Sequence, residues 1–167
     1  MEEAMDLLDR LLGHDEWTTT QLLLRCRTLS AAQRRQKFDA GHQSLDETFT
    51  HMIANVRVWS DLMAERTVRH EPITTESVAA LLAQWQRHYG EFAALARRLA
   101  DEKRWDDTYV DVLDEPPRRK SFGGTIGHVI THNMHHRSEL LHIMARLGLE
   151  DLPEGDLLSW ETQTGAR

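Results

Sequence analysis

The sequence predicts an all-α fold, a four-helix bundle with longer crossover connections. Three observations carry that expectation. Prolines occur only at positions 72, 116, 117 and 153. Between them apolar residues recur at intervals of three and four, which gathers them on one face of a helix. No series of alternating segments is present that could build a sheet core.

The first helix is expected over residues 3–29, with Leu7, Leu8, Leu11, Leu12, Trp17, Leu22 and Leu23 as its apolar surface. Gly13 either bends it or marks a start near Asp15. Residues 30–43 are polar and close near Gly41. Ser44 and Glu47 then form a capping box, in which the serine oxygen takes an orphan backbone N–H and the glutamate reaches back to the cap. The second helix spans 44–68 and repeats apolar residues from Leu45 through Phe49, Ile53 and Val56 to Met63. Pro72 breaks the chain, and Thr74 or Thr75 caps a third helix over 75–100. Residues 101–120, which hold Pro116 and Pro117, are expected to be a crossover connection with a short extended hairpin. A fourth helix covers 125–147, and Gly148 stands where a left-handed cap is expected. The partly apolar tail, 149–167, is expected to pack back on the bundle. Residues 1–167 are expected to form a single domain.

A chain of 167 residues with 40% apolar content can bury a sizeable core. Its formal charge of −7 argues against a nucleic-acid partner. The densest basic run, Arg118-Arg119-Lys120, follows two prolines and reads as solvated loop charge. The single cysteine, Cys26, rules out an intrachain disulfide and fits a reducing compartment. It lies in a helical pattern and reads as a small structural residue rather than a nucleophile. No apolar run approaches the roughly 20 residues a membrane helix needs. The acidic start Met1-Glu2-Glu3 is the reverse of a signal peptide. A cytoplasmic protein with no membrane partner is expected.

Five of the ten histidines fall in one short stretch: His128, His132, His135, His136 and His142. At about 100° per residue, Ile126, Val129, Ile130, Leu140, Ile143 and Met144 form one arc of the fourth helix. His136 falls inside the edge of that arc and His132 at its margin, one turn apart, so their rings can converge. His128, His135 and His142 are spaced at seven and form a polar row, read as solvated surface. A histidine pair at i and i+4 can hold a divalent ion, each nitrogen reaching it at about 2.0–2.1 Å. A third protein group must come from a facing helix. His51 lies beside the apolar stripe of the second helix, and His14 and His88 are further candidates. His42 and His70 fall in loops and are read as ordinary loop residues. Trp59 either walls a pocket or fills the core, and the second is preferred. Tyr109 and Asp111 lie in the long connection that could overhang the open face of the bundle. Arg137 points toward the apolar arc, where an unpaired charge is costly. A carboxylate inside the bundle, a backbone terminus or a neighbouring subunit is expected to pair with it.

At these residues the chain resembles the DinB/YfiT-like (damage-inducible DinB) family. The segment "HMIANVRVW" (His51 to Trp59) resembles that family's second helix. The segment "HVITHNMHHRSEL" (His128 to Leu140) resembles its last helix, whose usual form is close to H-x-x-x-H-x-x-H-H-R-G-Q-L. The likeness extends from about Met5 to Gly148. It implies a metal-dependent four-helix bundle protein that holds zinc, nickel or a similar divalent ion with three histidines. By position these are His51, His132 and His136. In place of the family's Gly-Gln this chain has Ser138-Glu139. Glu139 either supports the site from outside or is a surface charge opposite Arg146, and the second is preferred. His135 points about 100° away from His136 and can at most assist from outside or shuttle protons.

Three neutral imidazoles leave a divalent cation with open positions, whereas a structural zinc is closed by four protein ligands. The expectation is therefore a metal-dependent enzyme. It transfers a low-molecular-weight thiol, such as bacillithiol or mycothiol, to an electrophile, or it hydrolyses a small substrate. The reacting group is a metal-bound water or thiolate, and no catalytic side chain is assigned. The alternative is a non-catalytic, stress-related protein that binds or sequesters metal. The resemblance also implies a homodimer, with which five tryptophans and the apolar tail are compatible.

Overall fold

The computed structural model describes residues 5–166. Its elements run α1 (Leu7–Arg25), a three-ten turn (Cys26–Thr28), α2 (Ala31–Arg34), α3 (Leu45–Met63), α4 (Val78–Asp101), β1 (Thr108–Asp111), β2 (Arg118–Ser121), α5 (Phe122–Arg146) and α6 (Leu157–Thr164). The chain is mostly helical, and the four expected long helices are present. They pack in a ring: α1 on α4, α4 on α3, α3 on α5 and α5 on α1. One apolar cluster fills the ring. Leu12, Leu22 and Leu23 of α1 meet Phe49, Met52 and Ile53 of α3, Trp85, Tyr89 and Phe92 of α4, and Val129, Leu140 and Ile143 of α5. The three- and four-residue spacing of these side chains produces that inward stripe. Among the described residues no helix is long and apolar enough to cross a membrane.

The helix boundaries follow local capping chemistry. Asp6 caps α1, accepting from the Asp9 N–H at 2.8 Å; the expected start at residue 3 lies outside the described residues. Gly13 neither bends nor starts a helix. A Cβ there would come within 2.8 Å of the Trp160 indole, so the glycine is a docking notch for α6. Ser44 caps α3 as expected, but Glu47 receives a hydrogen bond from the Ser44 hydroxyl at 3.0 Å instead of reaching the cap's backbone N–H. This helix stops at Met63, short of residue 68, because Glu65 adopts a left-handed φ of 52°. Ser77, not Thr74 or Thr75, caps α4. Thr74 is instead fastened to Gln84 through its backbone N–H and carbonyl.

The connection after α4 holds the expected hairpin, two antiparallel strands with Thr108 opposite Ser121 and Asp111 opposite Arg118. Ser121 then caps α5, which starts at Phe122, three residues before the expected start. Gly148 takes the left-handed conformation, with φ 82°. The tail packs back through α6, an element the sequence pattern leaves unassigned. Its Trp160 is buried against α1.

Candidate metal centre

The ring order sets α3 beside α5, and this brings His51 to His132 across 81 residues of chain. The His51 and His132 Nε2 atoms lie 3.1 Å apart. The His132 and His136 Nε2 atoms are also 3.1 Å apart, one helical turn separating the two residues. A ring nitrogen carries either one proton or one lone pair. His132 Nε2 therefore cannot satisfy both neighbours by hydrogen bonding. Nitrogens bound to one ion at about 2.1 Å, in tetrahedral or octahedral arrangement, stand roughly 3.0–3.4 Å apart. The spacing and the all-nitrogen donor set both fit a shared divalent cation.

The rings are kept neutral, as ligation requires. Burial pulls His51 down to about 4, and the neighbouring charges of His42 and His136 add to the shift. Burial likewise brings His132 to about 4, reinforced by His136 and His51. Burial lowers His136 too, while Glu139 opposes it.

Two polar contacts orient the rings. His136 Nδ1 donates to Glu139 Oε2 at 2.7 Å, which leaves its Nε2 lone pair facing the cluster. Carboxylate support of this kind fixes the tautomer of a ligating histidine. The other contact is on α3. The Trp59 indole N–H donates to Asn55 Oδ1 at 3.0 Å and turns the Asn55 amide nitrogen to His132 Nδ1 at 3.2 Å. In that arrangement His132 Nδ1 accepts. Ligation through Nε2 needs the proton on Nδ1, with the Asn55 carbonyl turned toward it.

A fourth histidine joins the cluster, which corrects the reading of His42 as an ordinary loop residue. Its ring stacks on His51 at 4.0 Å between centroids and lies 5.0 Å from that of His136. One ligand nitrogen from each of His42, His51 and His136 can be chosen so that all three lie within 4.8 Å of one another. His51 and His136 thus have His132 on one side and His42 on the other. Helical periodicity could not find His42, since it lies outside any helix. The available signal was its place beside a glycine, just ahead of the Ser44 cap.

The remaining expectations divide. Glu139 is not a free surface charge: its side chain is 18% exposed and bridges His136 and His135. His135 itself is 69% exposed and lies 3.2 Å from Glu139 Oε1, outside the cluster. His128 and His142 are exposed. His14 is buried and donates to the Gly155 carbonyl at 2.8 Å, and His88 accepts from Arg87 at 3.1 Å. Neither approaches the cluster. Arg137 has its partner inside the ring, the buried Asp15 of α1, which also accepts from Asn133 at 2.9 Å. Burial pushes the Cys26 thiol up to about 12, so it stays protonated and unreactive.

Trp59 is half-buried and walls a cleft where the core was expected. That cleft, about 390 Å³, is also lined by Lys120, Ser121, Gly124, Thr125 and His128. The Lys120 ammonium sits 4.8 Å over the Trp59 ring and is paired with Asp111 and Asp114. Tyr109 and Asp111 do not overhang the site. Tyr109 is buried, its hydroxyl 2.8 Å from the Thr125 hydroxyl, and the buried Asp111 anchors Lys120. A second cleft, about 660 Å³, has His42, His51 and Thr50 in its wall and Arg35, Lys37, Asp46 and Glu47 among its lining.

The sequence model of the DinB family matches residues 1–163. The crystal structure of a DinB-like protein, YjoA of Bacillus subtilis, superimposes with a TM-score of 0.63 at 16% identity. The match covers 87% of this chain and 96% of that one. This likeness speaks to the fold alone. No curated protein matches the chain.

Proposed function

The chain belongs to the DinB family, and from that premise we propose that its four-helix bundle, a single domain, holds one divalent ion, zinc or nickel, between α3 and α5. The ligands are His51, His132 and His136. The single observation that carries this is His132 Nε2 standing 3.1 Å from both His51 Nε2 and His136 Nε2. When bound, the ion supplies Lewis-acid activation of a thiol or of water. The chain's own groups do the rest. Glu139 holds the His136 Nδ1 proton, and the low proton affinity of His51 and His132 keeps both rings neutral at neutral pH; for His132 to ligate through Nε2, the Asn55 amide turns its carbonyl to Nδ1.

The cleft bordered by His42 and His51 gives small molecules access to the site. The reaction we propose is transfer of a low-molecular-weight thiol to an electrophile, with hydrolysis of a small substrate as its competitor, in a cytoplasmic homodimer. A protein that only sequesters metal is the second reading, favoured by the fourth histidine, because additional nitrogens close a coordination sphere. Incubation of the zinc- or nickel-loaded protein with bacillithiol or mycothiol and monochlorobimane separates them. An enzyme forms the thiol conjugate, and its His132→Ala variant does not. A sequestering protein binds the ion tightly and forms no conjugate with either thiol.

A further inference from the structure

Three histidines of the cluster ride on packed helices; His42 does not. It belongs to the loop between α2 and α3, and that loop is folded tightly. The Phe38 N–H donates to the Gln43 carbonyl and the Gln43 N–H to the Ala40 carbonyl, each at 2.7 Å. Gly41 and Gln43 both take positive φ, 46° and 73°. These turns lay the His42 ring over His51 and beside His136.

The loop is seated by the residue that orients His136. The Glu139 carboxylate lies against Gly41, so closely that a Cβ on residue 41 would stand 2.3 Å from it. The same carboxylate accepts from His136 Nδ1. One side chain therefore sets both a helix-borne ring and the loop that carries the fourth ring.

We propose that His42 is a fourth, detachable ligand of the metal centre, delivered by its loop and held in place by Glu139 against Gly41. This rests on the metal-centre reading above. The three helical histidines are anchored on packed helices, whereas His42 is carried by a loop and would leave with it. His42 closes the centre on the side of His51 and His136, and its departure opens that position to an anionic ligand. The adjoining cleft, which His42 and His51 border, gives such a ligand a way in; Lys37 there is paired with Glu47, which leaves Arg35 as the nearer cation.

The test uses the full chain freed of metal, Co²⁺ as the spectroscopic probe and azide as the anion. Wild type is expected to take up one Co²⁺ with the intense visible absorption of a four-coordinate site. His42→Ala is expected to keep that stoichiometry but lose intensity as water fills in. Its Co²⁺ affinity should fall on the order of tenfold, and azide should bind more tightly than to wild type. Gly41→Ala retains every histidine and should shift the spectrum in the same direction; a wild-type spectrum there overturns the role given to Glu139 and Gly41. If His42→Ala matches wild type in absorption, Co²⁺ affinity and azide affinity, His42 is not a ligand, although the metal centre stands. Wild-type protein that takes up no Co²⁺ overturns both.

Discussion

Glu139 carries a consequence out of proportion to its position on the wheel. Helical geometry places it with the polar row, yet its carboxylate is drawn inward by His136 and by the space Gly41 leaves open. Glu139→Ala is therefore expected to weaken metal binding by about 10- to 100-fold, measured by competition with a chelator, while Glu139→Gln keeps part of the affinity. Arg137 presents the opposite case, a charge buried for structural reasons. Removing it leaves Asp15 inside the ring without its cation. Arg137→Ala should cost about 3–5 kcal/mol in urea unfolding, and pairing Arg137→Met with Asp15→Leu should recover most of that loss. His132, His136 and the need for an Arg137 partner were legible because each lies on a long helix with a clear apolar arc. His42 was not legible. Its position depends on backbone turns at Gly41 and Gln43 and on a contact from a residue nearly a hundred positions away.

Among the elements, the helices could be read closely and their ends less so. Capping serines set the true starts at Ser77 and Ser121, and a left-handed Glu65 ends α3 early. Such choices turn on single hydrogen bonds and φ values, which periodicity does not register. The small α6 escaped because its eight residues carry only one buried side chain, Trp160. That side chain docks in the notch at Gly13. Gly13→Val should therefore loosen α6 and destabilise the protein by about 1–3 kcal/mol. Hydrogen exchange confined to residues 157–164 should accelerate first, and unchanged exchange there would contradict the docking described.

For the molecule as a whole, the sequence marks which faces are apolar but not the order in which the helices meet. The ring order makes the site, since it sets α3 against α5 and so joins His51 to His132. The same burial gives the metal-free protein a pH signature. His51, His88 and His132 are all lowered to about 4, chiefly by burial, from an ordinary value of 6.5. Between those values the unfolded chain binds more protons than the folded one, so stability rises with pH across that window. The full contribution is present above about 6.5 and is lost as pH falls toward 4. Urea midpoints of the metal-free protein at pH 7, 5.5 and 4.5 should decline in that order, and a flat profile would show these rings to be charged in the fold.

The most direct measurement is the metal content of the purified protein after exposure to zinc or nickel, run beside His51→Ala and His132→Ala. One tightly held divalent ion per wild-type chain, lost from both variants, is the predicted result. A wild-type chain that retains no ion, or a His51→Ala chain that retains a full equivalent, would contradict a centre shared between α3 and α5.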